Sequence, residues 1–153
     1  MNIFYLDSDI KKCAEYHCDK HVVKMILEYA QLLSSACRLN GLDVGYKITH
    51  QNHPCAIWTR SSISNFVYLT DLVYYLNQEY KHRYSGKDHK SYLVVMNELG
   101  FPELPELEFT EPPKCVPDAY KHLSTIDAYR EYYKNEKRYF CTWKTQAPEW
   151  FNS

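Results

Sequence analysis

The polar residues best suited to chemistry share one face of an otherwise apolar segment. Five of them recur at alternating steps of three and four residues, namely His21, Lys24, Glu28, Gln31 and Ser35. That spacing places them along one narrow face of a helix. The positions between them are mostly apolar, so the helix is predicted to be buried, with its polar line facing other polar groups or a cavity.

This polar line has two interpretations. Buried charges persist only when they are paired, so Glu28 could be satisfied by Lys24 one turn earlier, or by His21 through an intermediary. In the other interpretation the line is the wall of a pocket. Glu28 would then be a carboxylate with a tuned pKa, and His21 and Lys24 would be its partners or would bind anions.

Two histidines near the start of this helix, His17 and His21, raise the possibility of a metal site. His17 and His21 are four residues apart, and two histidines at that spacing can bind zinc when both lie on one helix. However, Asp19 is predicted to be the N-cap of the long helix, which would break the helix between them. The Glu of a His-Glu-x-x-His motif is also absent. The sequence therefore predicts no metal and no other cofactor.

Several basic and aromatic residues are candidates for substrate binding. His53 precedes Pro54 and lies near Trp58 and Arg60, and two basic clusters, at 81–90 and 132–144, contain or adjoin aromatic residues. Basic groups between aromatic rings can hold phosphates while bases stack, although solvated helix faces give the same pattern. The predicted binding residues are Gln31, His53, Trp58, Arg60, Arg83, Lys87, Lys90, Arg138, Trp143 and Lys144.

Helical signals dominate the elements that must position these residues, so we predict an all-α fold. Residues 2–6 are expected to be extended, forming at most one short strand. Residues 101–118 contain five of the seven prolines and several glutamates, and they are predicted to form an irregular acidic surface arm. The predicted helices are 9–16 with Ser8 or Asp9 as cap, 19–39, a turn from Pro54, 64–84, 88–99, and 124–140 with Ser124 as cap.

Composition limits the class of protein. A chain of 153 residues with 45% hydrophobic residues suits one compact domain spanning 1–153. No apolar run approaches the roughly 20 residues that cross a bilayer, so no membrane partner is expected. The start of the chain lacks a basic segment, and the six cysteines form no Cys-x-x-Cys pair, which predicts reduced thiols in the cytosol.

The segment Asp19–Glu28 resembles the first-helix motif of the phage-type pyrimidine-dimer DNA glycosylases, the endonuclease V-like excision family. That motif has Asp, any residue, His, two apolar residues, and a Glu seven positions after the His, as here. The residues from His53-Pro54 to Arg83-Tyr84 resemble the next block of the family, and Thr142-Trp143-Lys144 resembles its aromatic tail. The Cys18–Lys24 stretch is also similar to uncharacterised short phage and algal-virus proteins.

The resemblance implies a small helical enzyme that flips a nucleotide out of a duplex and cleaves its glycosidic bond. Glu28 matches the family's catalytic carboxylate. The family's nucleophile is the α-amine of a small residue exposed when Met1 is removed. Asn2 is too large for efficient removal, so the amine is expected to be that of Met1 or to be unavailable. The net charge of −1 also differs from the basic family members.

The leading hypothesis is therefore a cytosolic N-glycosidic-bond hydrolase acting on DNA or a nucleotide, in the host cytosol if the protein is viral. Glu28 would be its catalytic carboxylate, with His21 and Lys24 beside it. The alternative is a non-catalytic phage protein that binds a nucleotide or a signalling nucleotide through the same residues. A third hypothesis is a helical interaction module whose partner binds the segment 101–118.

Overall fold

Two long helices form the centre of the protein, as the computed structural model shows for residues 1–153. These are α2 (Asp19–Leu39) and α4 (Ile63–Arg83), which pack against each other. Around them lie α1 (Ile10–Tyr16) on α4, α3 (Pro54–Thr59) on both long helices, and α5 (Lys90–Glu98) on both as well. The sixth helix, α6 (Thr125–Glu136), contacts the C-terminal 3₁₀ turn Glu149–Asn152. The all-α prediction is confirmed.

Side-chain caps set most of the helix starts. The Asp9 carboxylate accepts the amides of Lys11 and Lys12 at the start of α1, and Ser124 accepts the amide of Asp127 in α6. These caps satisfy amides that have no partner within the helix. The predicted end of α6 at residue 140 is wrong, because the chain turns after Glu136 and the amides of Phe140 and Cys141 both bind the Lys137 carbonyl.

Asp19 does not cap α2, contrary to the sequence prediction. Cys18 takes the N-cap position without a side-chain hydrogen bond, and Asp19 is the first residue of the helix. Its carboxylate instead lies 3.2 Å from Nη1 of Arg83 and accepts the Lys144 amide at 3.0 Å. The buried guanidinium of Arg83 needs anionic partners, and this requirement outweighs the local capping preference.

The N-terminal segment crosses the core without pairing as a strand. Residues 3–6 are buried, and the Phe4 amide donates to the Tyr29 hydroxyl at 3.0 Å. The Phe4 ring stacks on His21 with centroids 4.4 Å apart. This path places Met1 beside the middle of α2. The chain contains no strand, and none of its helices combines the length and apolarity needed to cross a membrane.

Residues 99–117 have no regular secondary structure, although several of their backbone groups are bound to the helical body. The Pro105 carbonyl accepts the Ile63 amide at the start of α4. The indole of Trp58 donates to the Thr110 carbonyl at 3.1 Å, and the Asn65 side chain accepts the Thr110 amide at 3.1 Å. These bonds hold the segment against α3 and α4.

Candidate active site

A small polar cavity of about 160 Å³ lies where the N-terminal segment meets α2 and the end of α6. The three predicted catalytic residues, His21, Lys24 and Glu28, all line it, because one helical face presents them to the same space. The remaining lining residues come from the N-terminal segment, from α2 and from the residue after α6, and they are Met1, Asn2, Phe4, Met25 and Lys137.

Glu28 holds the N-terminal amine in this cavity. The α-amine of Met1 lies 2.9 Å from Oε1 of Glu28, and Nζ of Lys24 lies 3.7 Å from Oε2. The Met1 and Glu28 side chains are 6% and 16% exposed, whereas Lys24 is 62% exposed. The amine and the carboxylate thus form a mostly desolvated pair, with a lysine reaching in from solvent.

Glu28 is the only acidic residue that lines the cavity, whereas the amine, Lys24 and Lys137 are cationic. The cations outnumber the single carboxylate even though the whole chain carries a net charge of −1. Such an excess attracts an anionic ligand such as a phosphate group. The charges that line this cavity therefore suit an anionic ligand.

His21 is held in place by neighbouring side chains. Its Nδ1 lies 2.6 Å from the Tyr133 hydroxyl, and its ring lies between those of Phe4 and Phe140, with centroids 4.4 Å and 5.4 Å away. The Cys18 thiol also interacts with the His21 side chain, so the imidazole is held from several sides. Burial raises the pKa of the Tyr133 hydroxyl well above its usual value, so the hydroxyl stays protonated as a hydrogen-bond partner.

His17 is a core residue. Its Nδ1 lies 2.7 Å from the Cys13 carbonyl and its Nε2 lies 2.9 Å from the Tyr29 hydroxyl, so both ring nitrogens are engaged. Burial lowers the pKa of His17 to about 3, which keeps the ring neutral near pH 7. His17 therefore has no free nitrogen to share a metal with His21.

Basic and aromatic groups surround the cavity where α6 ends. Nζ of Lys137 lies 4.7 Å from the Tyr132 ring centroid and 5.6 Å from that of Phe140. Nζ of Lys20 lies 4.7 Å from the Phe140 ring centroid, and the neighbouring Tyr139 is 85% exposed. This basic-aromatic rim, formed by Lys20, Lys24, Tyr132, Lys137, Tyr139 and Phe140, has the groups that hold phosphates and stack on bases.

Three predicted binding residues near α3 and α4 have other partners. Trp58 is buried and bonded to Thr110, and the Arg60 guanidinium binds the Gln51 carbonyl at 2.7 Å. Arg83 is buried between Asp19 and Glu79, and it also binds the carbonyls of His17 and Glu15. None of the three lines the cavity, because each is used to hold the fold together.

The predicted residues of the two basic clusters also lie away from the cavity. The Arg138 guanidinium stacks over Phe151 at 4.3 Å, and the Trp143 indole donates to the Tyr16 carbonyl. Nζ of Lys144 lies 5.2 Å from the Tyr84 ring centroid. The cavity lining also lacks Lys87 and Lys90, as well as Gln31, which lies outside both clusters. From the second cluster, at 132–144, only Lys137 lines the cavity, and Lys137 was not among the predicted site residues.

His53 lies close to the cavity without lining it. Its Nδ1 accepts the Cys55 amide at 3.0 Å, which makes the imidazole the N-cap of α3. Burial lowers the pKa of His53, and the positive Met1 amine lowers it further. The ring is therefore neutral at pH 7, and it lies near enough to the amine for the charge of the amine to lower its pKa.

The Met1 amine is the group that sequence reasoning left undecided. No local pattern near residue 1 signals its contact with Glu28, because the contact depends on the path of residues 2–6 through the core.

The largest cavity, of about 800 Å³, lies elsewhere and includes the acidic residues Asp7, Glu15, Glu79 and Glu149 in its lining.

No family model, curated protein or solved structure matches this chain.

Proposed function

We propose that this protein is an N-glycosidic-bond hydrolase of the base-excision type that acts on DNA in the cytosol, with Glu28 as its catalytic carboxylate. One observation carries the proposal. Glu28 and the Met1 amine lie 2.9 Å apart in a small cavity whose other ionisable residues are His21, Lys24 and Lys137. The match of Asp19–Glu28 to the glycosylase first-helix motif supports the same assignment.

The pair suits the chemistry of the glycosidic bond. As the bond to the base breaks, positive charge develops on the sugar, and a carboxylate held nearby stabilises it. An amine in the same place can attack C1′. The bond from nitrogen to C1′ forms, and the base leaves with the electron pair of the broken bond and takes a proton. Glu28 is positioned to accept the proton that the amine must lose.

The covalent intermediate can then open. The C1′–O4′ bond breaks, O4′ takes a proton, and an imine remains between residue 1 and the sugar. Hydrolysis of this imine releases the sugar aldehyde and restores the amine. Glu28 serves the proton transfers at the amine and at O4′, and His21, held in place by Tyr133, is the neighbouring group that can give a proton to the leaving base.

The size of the cavity favours a polymeric substrate over a free nucleotide. Sites for whole small molecules usually enclose about 300–1,000 Å³, whereas this cavity is about 160 Å³. Such a space admits part of a larger substrate, with the rest lying on the surface outside. The large cavity could enclose a nucleotide, but its four carboxylates outnumber its single arginine, Arg130, and would repel the phosphates. These two facts disfavour the hypothesis of a nucleotide-binding protein.

The basic-aromatic rim supplies contacts for the rest of the strand. Lys24 lines the cavity and is 62% exposed, and Tyr139, which contacts Phe140, is 85% exposed, so both are accessible to a nucleic acid. Lysines attract the phosphates, and the exposed ring can stack on a base or fill the space left by a flipped nucleotide. Binding of this kind needs a local positive patch and not a basic chain.

The proposal is tested by incubating the protein with ultraviolet-irradiated duplex DNA, undamaged duplex DNA and a panel of nucleotides, and by following the products with mass spectrometry. We expect a released base or an abasic site from a duplex. Borohydride added during the reaction should reduce the imine to a stable adduct, and peptide mapping should place that adduct on residue 1.

Two outcomes separate the possibilities. Base release without a trapped adduct would retain Glu28 as the catalyst, with water in place of the amine as nucleophile. The absence of product from every duplex, together with a nucleotide that co-elutes unchanged, would overturn the proposal in favour of a binding protein. Glu28→Gln should lose the product. Its control is Glu98→Gln, which removes an exposed carboxylate at the end of α5 and should react like the wild type.

A further inference from the structure

A second group of reactive side chains lies next to the N-terminal segment, outside the cavity. The side chains of His53, Cys55 and Cys115 each offer a metal-ligand atom, and these three atoms all lie within 4.8 Å of one another. The two sulfurs are 3.8 Å apart. His53 and Cys115 are partly exposed whereas Cys55 is buried, so the group can be reached from solvent on one side.

The spacing of the sulfurs fits zinc. Two Zn–S bonds of about 2.3 Å at a tetrahedral angle place the sulfurs about 3.8 Å apart, and the observed separation is 3.8 Å. Thiolate and imidazole ligands favour zinc over magnesium or calcium, which prefer oxygen. We propose that His53, Cys55 and Cys115 bind one Zn²⁺ ion per chain, with a water or another donor in the fourth position.

Cys55 and Cys115 differ from two buried thiols of this protein, Cys13 and Cys37. Cys13 donates to the Phe4 carbonyl and Cys37 to the Gly100 carbonyl, as is usual for cysteines that fill a core. The Cys55 thiol instead faces the Cys115 thiol, with the two sulfurs 3.8 Å apart. Two thiols facing each other with an imidazole beside them form an unusually weak hydrogen-bonding group, whereas together they form a strong metal-binding group.

The backbone around Cys115 is already held in place. Its amide donates to the Tyr129 hydroxyl at 3.2 Å, and its carbonyl accepts the Asn2 side-chain amide at 2.8 Å. Zinc would therefore join α3 to the segment that holds Asn2, one residue from the candidate catalytic amine. If zinc binds Nδ1 of His53, the metal takes the lone pair that now caps α3, and the energy of a zinc bond greatly exceeds that of a cap.

Zinc binding is tested with reduced, chelator-treated protein, by titration of Zn²⁺ against a chromophoric chelator. We expect one ion per chain, and Co²⁺ in its place should give the absorption of a tetrahedral thiolate site. Cys115→Ser should weaken zinc binding by about 100-fold or more. At equal zinc concentration, zinc should raise the melting temperature of the wild type more than that of Cys115→Ser.

Matched variants separate ligands from helix caps. His53→Asn removes the imidazole but keeps a good N-cap, so it should fold and bind zinc more weakly. His89 caps α5 in the same way, with Nδ1 accepting the Ser91 amide at 3.0 Å. His89→Asn and Cys37→Ser should therefore bind zinc like the wild type. Substoichiometric binding, or wild-type affinity in Cys115→Ser, would overturn the site. No nucleic acid is used, so the result is independent of the proposed glycosylase function.

Discussion

Replacing Glu28 with glutamine should abolish most of the catalysis while leaving the fold intact. The change keeps the shape of the side chain and removes one negative charge that lies 2.9 Å from the Met1 amine. A unit charge about 4 Å from the developing positive charge of the sugar contributes about 4 kcal/mol at an effective dielectric constant near 20. That energy corresponds to a rate loss of about 1,000-fold.

The cost to stability should be smaller. The glutamine amide oxygen can still accept a hydrogen bond from the amine, so a charge-assisted bond becomes a bond to a neutral acceptor. This exchange costs about 1–2 kcal/mol, because the Met1 and Glu28 side chains are only 6% and 16% exposed. The fold would still be present at room temperature.

Two measurements check these numbers. Single-turnover base release from irradiated duplex DNA gives the rate, and urea unfolding followed by circular dichroism gives the stability. Glu98→Gln makes the same change of net charge at an exposed position and should keep both values. A folded Glu28→Gln that releases base at the wild-type rate would show that the carboxylate is not catalytic and that the pair with Met1 only stabilises the fold.

Three further perturbations have expected results. Lys137→Ala should weaken DNA binding and reduce the slope of log affinity against log salt by about 0.9, and an unchanged slope would place Lys137 outside the interface. Arg83→Ala should lower the free energy of unfolding by about 3–5 kcal/mol because it leaves Asp19 and Glu79 without their buried partner, and a urea midpoint near that of the wild type would contradict this. Burial lowers the pKa of His17 from 6.5 to about 3, so below pH 6.5 the unfolded chain gains a proton that the folded chain does not. Stability should therefore fall by about 2 kcal/mol between pH 7 and pH 5, and His17→Gln should remove that part of the slope; a slope that is the same in both proteins would refute it.

Local pattern alone determines most of the helices and one face of the site. The three-and-four spacing of His21, Lys24 and Glu28 places them on one side of a helix whatever the rest of the chain does. Capping chemistry is also local, which is why the starts of α1 and α6 agree with Asp9 and Ser124. The predicted class, an all-α protein, follows from these signals.

Tertiary structure determines which groups complete the site. The Met1 amine reaches Glu28 only because residues 3–6 are buried along α2, and Lys137 joins them because the chain turns after α6. Basic residues that look equivalent in sequence have different partners, and Arg83 and Arg138 are used inside the fold. Cys55 and Cys115 lie 60 residues apart in the chain, and no pattern in the sequence pairs them. Contacts between distant segments depend on the packing of the whole core, which local spacing does not specify.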